Sequence, residues 1–240
     1  MLQLPDVTLV CIDTVCHDLA RRAIEDCVRH CNFADVIWFS DRKDGDFRCE
    51  PCDVSDLHAE QAFLWGSAWK HVTTSHFLVV QWDSWVIDPE MWRDGYLSYD
   101  YVGAPWWHRD RYCVGNGGFS LRSVRLAAHV AANSKRYPLT HPEDVALCRR
   151  YRCGLERDGF LWPDFDTALD FSFEWVRKSD TSRHFGFHSL RNWPFVLTRD
   201  QLDERLELMN DYAKSGEHFG YLHRNLAVMA EMGREPGYLQ

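Results

Sequence analysis

Apolar and polar positions alternate between two kinds of segment along the first third of the chain. Short apolar runs, typical of buried strands, are separated by longer stretches in which apolar side chains recur at helical spacing between charges. The predicted strands are residues 7–12, 34–39 and 77–80, and the predicted helices are residues 17–31 and 55–71. The order strand, helix, strand, helix, strand predicts an α/β fold with a mainly parallel central sheet flanked by helices.

The pattern changes after residue 90. Residues 91–120 are rich in aromatic side chains and glycine, which predicts loops and short strands, and helices are expected over residues 123–133 and 142–151. Two amphipathic stretches follow, at residues 198–216 and 221–232. Because no linker or repeat interrupts the chain, we expect one domain over residues 1–197. Residues 198–240 then form a C-terminal helical extension packed on that domain or extending it.

Composition excludes several classes of protein. The net charge is −9 and no long run of Lys and Arg occurs, so the basic footprint of a nucleic-acid-binding protein is missing. No apolar run approaches the roughly 20 residues that span a bilayer, and the N-terminus lacks the pattern of a signal peptide. The nine cysteines, odd in number and partly within apolar runs, indicate reduced thiols. A cytoplasmic protein is expected.

Two acids lie where chemistry could use them. Asp83 follows the apolar run 77–80, and the carboxyl ends of strands in an α/β sheet border the crevice where such sheets bind ligands. Asp144 lies at a predicted helix start, where its ionised form is favoured and could accept a proton. Each could equally be an ordinary turn or helix-start acid. The neighbouring Glu143 has a structural explanation, as the return partner of a capping box that begins at Thr140.

Glycines and a histidine complete the candidates. The segment 115–118, GNGG, does not match a dinucleotide or P-loop motif, so its glycines either allow close approach of the backbone to a ligand or form a plain tight turn. His188 lies between aromatic residues in an apolar run, where a histidine is usually structural. It becomes a metal-ligand candidate if Asp83 binds an ion, because imidazole, carboxylate and diphosphate oxygens together suit Mn²⁺ or Mg²⁺.

Five short motifs occur in a recognisable order: Gln81-Trp82-Asp83, Gly103-Ala104-Pro105-Trp106, the segment 115–122, Pro142-Glu143-Asp144-Val145 and Phe185-Gly186-Phe187-His188. This set resembles a bacterial family of glycosyltransferase-like domains without an assigned function. It is also similar in order to the motifs of GT-A glycosyltransferases, including the β-1,4-galactosyltransferase type. The resemblance covers residues 7–195.

The resemblance implies a GT-A, Rossmann-like fold and a hexosyltransferase that moves a sugar from a nucleotide-diphosphate sugar, with UDP favoured, to a glycan or other hydroxyl acceptor. It implies inversion, with Asp144 and Glu143 as the catalytic acids, and it places Asp83 and His188 as ligands of Mn²⁺ or Mg²⁺. Gln81 stands where such enzymes carry the first acid of a D-x-D motif. The implied donor-binding residues are Asp13, Thr14, Ser40, Asp41, Gln81, Trp82, Gly117 and Gly118. The expected aromatic platforms for sugars are Trp106, Trp107 and Trp193.

Two other functions remain open. A non-catalytic protein that binds carbohydrate or a nucleotide sugar through a degraded transferase site would explain Gln81. A metal-dependent phosphoryl-transfer or hydrolytic enzyme could use Asp83 with Asp13. A role in polysaccharide biosynthesis, peripheral attachment at the inner membrane face and a homodimer formed through the C-terminal helices are further expectations.

Overall fold

The computed structural model describes residues 1–54, 57–108, 110–138, 140–175 and 183–213. Its strands are β1 Leu2–Ile12, β2 Cys31–Ser40, β3 Arg48–Pro51, β4 His76–Val80, β5 Trp85–Val86, β6 Tyr101–Gly103, β7 Phe119–Ser123, β8 Ser172–Phe173 and β9 Gly186–Phe187. Its α-helices are α1 His17–His30, α2 Leu57–Gly66, α3 Val124–Ala132, α4 Glu143–Val145, α5 Arg152–Arg157, α6 Phe165–Phe171, α7 Trp193–Val196 and α8 Arg199–Ala213.

Six strands form the central sheet, in the order β3-β2-β1-β4-β7-β6. The pairings among β3, β2, β1 and β4 are parallel, whereas β4 with β7 and β7 with β6 pair antiparallel. The sheet is therefore mixed, and the predicted mainly parallel arrangement holds only on one side of it. A small second sheet, in the order β5-β9-β8, lies beside it.

Alternate side chains of the central strands enter two separate cores. On β1, Leu9 and Cys11 belong to the core that α1 and α8 cover, whereas Val10 and Ile12 belong to the core beneath α2 and α3. Successive residues of a strand point to opposite faces, so continuous apolar runs are required in a sheet that is covered on both sides. This accounts for the uninterrupted runs that marked the strands in the sequence.

Several elements differ from their predictions. Strand β3 and helix α6 were not expected, and β1 begins five residues earlier than predicted, with an irregular register between Leu4 and Thr8. The predicted helix 55–71 divides into α2 and a 3₁₀ turn at Ala68–His71, and its predicted first residues lie outside the described part. The predicted helix 142–151 is a composite of α4 and a π-helical turn, Ala146–Arg150.

The capping box predicted at Thr140 is wrong. Helix α4 begins after Pro142, which follows a cis peptide bond, and the backbone N–H of Glu143 donates to the side chain of Gln61 at 3.2 Å. The Thr140 hydroxyl instead accepts from Arg150 at 2.7 Å. Glu143 is thus free of the capping role that the sequence assigned to it.

At the C-terminus, helix α8 agrees with the first predicted amphipathic stretch, and the second, residues 221–232, lies outside the described residues. Leu202 and Met209 of α8 pack into the core beside α1, and the buried Arg205 pairs with Asp26 of that helix. The described part of the extension is therefore packed on the domain. Among the described helices, none combines the length and apolar character needed to cross a bilayer.

Candidate functional site

A cavity of about 300 Å³ opens at the edge of the sheet where β1 and β4 end. Its walls come from these strand ends, from α2, from the loop before β7, from α4 and from the segments around β8 and β9. Polar lining residues are Glu60, Gln61, Gln81, Asn116, Glu143, Asp144, Glu174 and His188, and Trp106, Trp175, Gly117 and Gly118 also contribute. Five of the predicted motifs and sites therefore meet at one place: Gln81, Trp106, Gly117-Gly118, Glu143-Asp144 and His188.

Asp144 lines this cavity from the first turn of α4, half-buried, with one carboxylate oxygen accepting from the N–H of Val145 at 2.7 Å. Burial raises its pKa to about 7, and the neighbouring charge of Glu143 adds to the rise. The helix start was expected to keep Asp144 ionised, but desolvation outweighs the local hydrogen bond, so the carboxyl group is only partly ionised at neutral pH. A carboxyl group titrating near neutrality is suited to general base catalysis.

The side chain of Glu143 is held in a buried ion pair. Its Oε1 accepts from Nη2 of Arg122 at 2.8 Å, and both side chains are buried. The same guanidinium donates to the carbonyl of Gly117 at 2.9 Å and lies 5.0 Å from the ring centroids of Trp65 and Tyr101. This arrangement uses Glu143 to neutralise a cation beneath the cavity.

His188 is the centre of a hydrogen-bonded chain across the cavity. Its Nε2 lies 3.1 Å from Oε1 of Gln81 and 3.4 Å from Oδ1 of Asp83, and its Nδ1 lies 3.2 Å from Oε1 of Glu174. Burial opposes the imidazolium form, but the charges of Asp83 and Glu174 outweigh burial and hold the pKa of His188 well above its ordinary value. Asn116 joins the chain by donating to Glu174 at 2.6 Å.

The two glycines of the loop before β7 are close-approach positions. A Cβ on Gly118 would lie 2.1 Å from Nε2 of His188, and a Cβ on Gly117 would lie 2.5 Å from Oε1 of Glu143. Neither glycine has a positive φ, so packing and not backbone conformation selects them. Between the two readings of GNGG, the structure favours close approach, here to the side chains of the site.

Glu60 is a site residue that the sequence did not reveal. It projects from α2 into the cavity and accepts from Nε2 of Gln81 at 3.2 Å, and burial raises its pKa to about 8. An acid within a helix is ordinarily a solvated residue, and nothing in its spacing distinguishes Glu60 from that case. Its partner is 21 residues away along the chain.

Asn116, Glu174 and Trp175 were also missed. Asn116 has a φ of +65°, a left-handed conformation that Asn tolerates better than most residues, and the Asn-Gly pair was an available signal. Glu174 and Trp175 directly follow β8, and a polar residue within the aromatic segment FSFEW was the only hint of their role.

Four of the predicted donor-binding residues follow β1 and β2 at the same sheet edge and do not line the cavity: Asp13, Thr14, Ser40 and Asp41. Asp13 Oδ1 accepts from the N–H groups of Val15 and Cys16, and burial raises the pKa of Asp13 to about 6. The hydroxyl of Thr14 donates to Val54 O at 2.9 Å. Neither side chain is fully buried.

The second pair, Ser40 and Asp41, follows β2. Ser40 is 2% exposed, so its hydroxyl is withdrawn from solvent. Asp41 is exposed and lies 2.6 Å from Nε2 of His17, and this hydrogen bond holds the pKa of Asp41 below its ordinary value. Asp13 and Asp41 therefore remain available to a ligand, whereas Ser40 is not accessible.

The predicted aromatic platforms separate into three cases. Trp193 is fully buried and packs against Trp82 and Trp85, so it belongs to the core and offers no face to a sugar. Trp82, predicted to bind the donor, is half-buried in the same aromatic group and does not line the cavity. Trp106 is a nearly buried cavity wall, whereas Trp107 is exposed.

The predicted metal ligands are brought together. Within the part of the chain that the structure describes, no three or more His, Cys, Asp or Glu side chains are grouped as a metal site. Asp83 and His188 nevertheless face each other at 3.4 Å, and apart from that contact no described group hydrogen-bonds the buried Oδ1 of Asp83. Adjacent ligands of an octahedral ion such as Mg²⁺ lie about 3 Å apart. The spacing of these two donors is compatible with a shared divalent ion.

Comparison with solved structures places the fold. The chain is similar to a glycosyltransferase involved in the glycosylation of the major capsid of PBCV-1, with 14% sequence identity, 84% of this chain and 98% of that chain covered, and a TM-score of 0.50. It also matches the mannosyltransferase PcManGT from Pyrobaculum calidifontis, solved with GDP-Man and Mn²⁺, at 10% identity and a TM-score of 0.39, over 53% of this chain and 48% of that one. The first match shows a glycosyltransferase-like fold.

Sequence comparison identifies the family. No curated protein matches the chain. A family model described as "Protein of unknown function (DUF5672)" matches residues 53–188, which is more than half of the chain and includes the whole polar chain from Glu60 through Gln81 to His188. The protein therefore belongs to the DUF5672 family.

Proposed function

We propose that this protein is an inverting glycosyltransferase of the GT-A type, which moves a sugar from a nucleotide-diphosphate sugar to a hydroxyl acceptor. The observation that carries the proposal is the position of Asp144, a half-buried carboxylate with a pKa of about 7 that lines the same cavity as His188. The glycosyltransferase-like fold supports it. A UDP-sugar is the expected donor.

In this mechanism Asp144 acts as the base. Its carboxylate accepts the proton of the acceptor hydroxyl while that oxygen forms a bond to the anomeric carbon and the bond from that carbon to the diphosphate oxygen breaks. Attack opposite the leaving group inverts the anomeric centre. Because the pKa of Asp144 is about 7, a large fraction of the protein carries the ionised base at neutral pH, and its basicity is higher than that of an exposed carboxylate.

The leaving diphosphate is assigned to the side of the cavity lined by His188, which contacts the buried Asp83. These two residues would hold a divalent ion of the Mn²⁺ or Mg²⁺ type, which when bound neutralises charge on the departing diphosphate. Among the described residues, four carboxyl groups border the cavity and the guanidinium of Arg122 lies beneath it, so this acidic lining supports a requirement for such a cation. An anionic ligand entering without a cation would meet repulsion.

The sugar and nucleotide are assigned to different parts of the sheet edge. At neutral pH Glu60 is mainly protonated, since burial raises its pKa to about 8, so it can donate to as well as accept from sugar hydroxyls. A cavity of about 300 Å³ suits a sugar better than a whole nucleotide sugar. The nucleotide is therefore assigned to the neighbouring strand ends, with Asp13 and Asp41 as the accessible side chains.

A carbohydrate-binding or nucleotide-sugar-binding protein without turnover is the second candidate. The observation that favours it is Gln81, an amide at the position of the first acid of D-x-D, hydrogen-bonded on both sides to Glu60 and His188. A site that has lost an acid could retain binding without catalysis.

Two measurements test the proposal. Thermal unfolding with nucleoside diphosphates and nucleotide sugars, with and without Mn²⁺, should show stabilisation, since a ligand that binds only the folded state raises its stability. Turnover of the best donor should then fall by about two to four orders of magnitude in Asp144→Asn, the usual contribution of a positioned base. The matched control is Asp200→Asn, an exposed acid of α8, which should leave turnover unchanged.

The outcomes separate the two candidates. Donor binding without turnover in the parent protein supports the binding protein. Turnover that survives unchanged in Asp144→Asn contradicts the assigned base, and absence of any shift with every nucleotide and nucleotide sugar contradicts the transferase as a whole.

A further inference from the structure

A second, larger cavity of about 750 Å³ adjoins the first. Trp106 lines both cavities and forms the wall between them. Its indole is fixed, because the side chain is only 7% exposed and packs so closely on Gly115 that a Cβ there would lie 2.0 Å from Cη2 of the ring. A ligand in one cavity therefore meets a rigid aromatic partition with space on its other side.

Two exposed tryptophans connect the cavities. Trp107 lines the second cavity and is 61% exposed, and Trp175 lines the first and is 50% exposed. Their rings are in contact, edge to face, with centroids 5.6 Å apart and an interplanar angle of 83°. Indoles left in water forgo the favourable burial that most large apolar side chains obtain, and adjacent exposed ones mark a binding surface. Together Trp107 and Trp175 form an aromatic rim that runs from one cavity to the other.

The described polar side chains of the second cavity carry charges of both signs. Asp110 and Asp164 supply carboxylates, Arg111 supplies a guanidinium and His108 an imidazole. Carboxylates accept several hydrogen bonds each and guanidinium donates up to five, so the set can pair with many hydroxyl groups. Two carboxylates against one guanidinium disfavour a diphosphate, and these polar groups beside exposed aromatic faces match a neutral, hydroxyl-rich ligand with apolar C–H surfaces.

The loop that carries this surface is held in place. Trp106 N–H donates to Cys113 O at 2.7 Å, and Pro105 and Val114 form an isolated β-bridge. Asp110 accepts two hydrogen bonds from Arg149, at 3.1 and 2.7 Å.

Arg149 also donates to Tyr112 O at 2.7 Å, and it belongs to the π-helical turn that follows α4. The helical segment that carries Asp144 thus anchors the aromatic loop as well. The spacing between the proposed base and the second cavity is set by one continuous piece of backbone, which pre-organises both for a single ligand.

We propose that the second cavity is the acceptor subsite and that the acceptor is a neutral oligosaccharide of two or more sugar units. Its terminal hydroxyl reaches Asp144 in the first cavity, and its following units cross the rim of Trp107 and Trp175 into the second. This inference rests on the proposed transferase function. It adds the acceptor class, because a monosaccharide would occupy the first cavity alone and leave the second without a role.

Binding without donor is the first test. Neutral gluco-, galacto- and manno-oligosaccharides of one to four units are titrated while tryptophan fluorescence is followed. In at least one series affinity should rise about tenfold or more from one unit to three. Trp107→Ala should remove that gain, and Trp107→Phe, which keeps an aromatic face, should retain most of it. The same affinity for every chain length in all three series, or an unchanged gain in Trp107→Ala, overturns the inference.

Transfer is the second test, and it separates this inference from the proposed function. With a competent donor, kcat/KM should increase with acceptor length in the parent and lose that dependence in Trp107→Ala. Turnover with no dependence on acceptor length leaves the transferase standing and overturns the subsite. Length-dependent binding through Trp107 in a protein without any turnover supports the subsite as a carbohydrate surface and overturns the transferase.

Discussion

Replacing Arg122 with methionine removes the cation that neutralises Glu143 beneath the cavity. Arg122 is fully buried, and its guanidinium donates to Glu143, to the carbonyl of Gly117 and to the hydroxyl of Ser120, at 2.8, 2.9 and 2.8 Å. Methionine retains much of the volume and the apolar stem. The substitution therefore tests mainly the charge and its hydrogen bonds.

The expected magnitude follows from which groups are left unpaired. Removing one member of a buried ion pair costs about 3–5 kcal/mol, because the other charge stays buried without compensation. Arg122→Met and Glu143→Leu should each fall in this range. In the double variant no buried charge remains, and only the hydrogen bonds of Gly117 and Ser120 are lost. The double variant should lie about 1–3 kcal/mol below the parent, far from the sum of the single effects.

Urea unfolding of the four proteins, followed by tryptophan fluorescence, measures this cycle. The control is Arg136→Met, which breaks an ion pair of a half-exposed arginine with Asp158 and should cost under about 1 kcal/mol. A double variant whose loss equals the sum of the single losses would refute the buried-pair reasoning. The double variant should also retain donor turnover, since Glu143 is assigned here to neutralising Arg122 and not to proton transfer.

Three further results are expected. Gly118→Ala places a Cβ 2.1 Å from Nε2 of His188, and a displacement of this imidazole by about 1 Å should lower turnover about 100-fold. The control Gly95→Ala, which has open space around the new Cβ, should leave turnover unchanged, and equal turnover in both variants would contradict the close approach. Because burial raises the pKa of Asp144 to about 7, the folded state of the parent loses stability as the pH rises from about 4 to 7. In urea unfolding, Asp144→Asn should therefore be about 1–3 kcal/mol more stable than the parent at pH 8 and equal to it near pH 4. No difference in stability at pH 8 would contradict the raised pKa. Asp83→Asn should abolish any additional thermal stabilisation that Mn²⁺ gives to a nucleoside-diphosphate complex, and an undiminished Mn²⁺ effect would exclude Asp83 as a ligand.

Local signals predicted the positions of the main site residues. Asp83 and Asp144 were identified because each occupies a backbone position, a strand end or a helix start, that a short stretch of sequence defines. The parallel strands near the N-terminus were also predicted from local sequence, because a continuous apolar run indicates a strand that is buried on both faces. Pairing direction is not encoded in this way, and nothing in the sequence of β7, FSLRS, indicates that it runs antiparallel beside β4.

The missed residues depend on contacts between distant segments. Trp193 and Trp175 both have aromatic neighbours in the sequence. Trp193, on α7, is nevertheless completely buried, whereas Trp175, which follows β8, is half exposed. Glu60 becomes a site residue only because α2 crosses the end of β4. The pKa of Asp144 is likewise raised mainly by burial, which the residues next to it in the sequence do not indicate.

Gln81 illustrates the same dependence at the position where this chain departs from the D-x-D pattern. Its amide donates to Glu60 through Nε2 and accepts from His188 through Oε1, at 3.2 and 3.1 Å. An aspartate at this position could accept from the imidazole, but it would add a charge beside the carboxyl group of Glu60, whose pKa burial already raises to about 8. Only an amide satisfies both neighbours without a further charge. The amide at position 81 therefore fits Glu60 and His188 together, while Asp83 contacts the same ring nitrogen of His188, Nε2, at 3.4 Å.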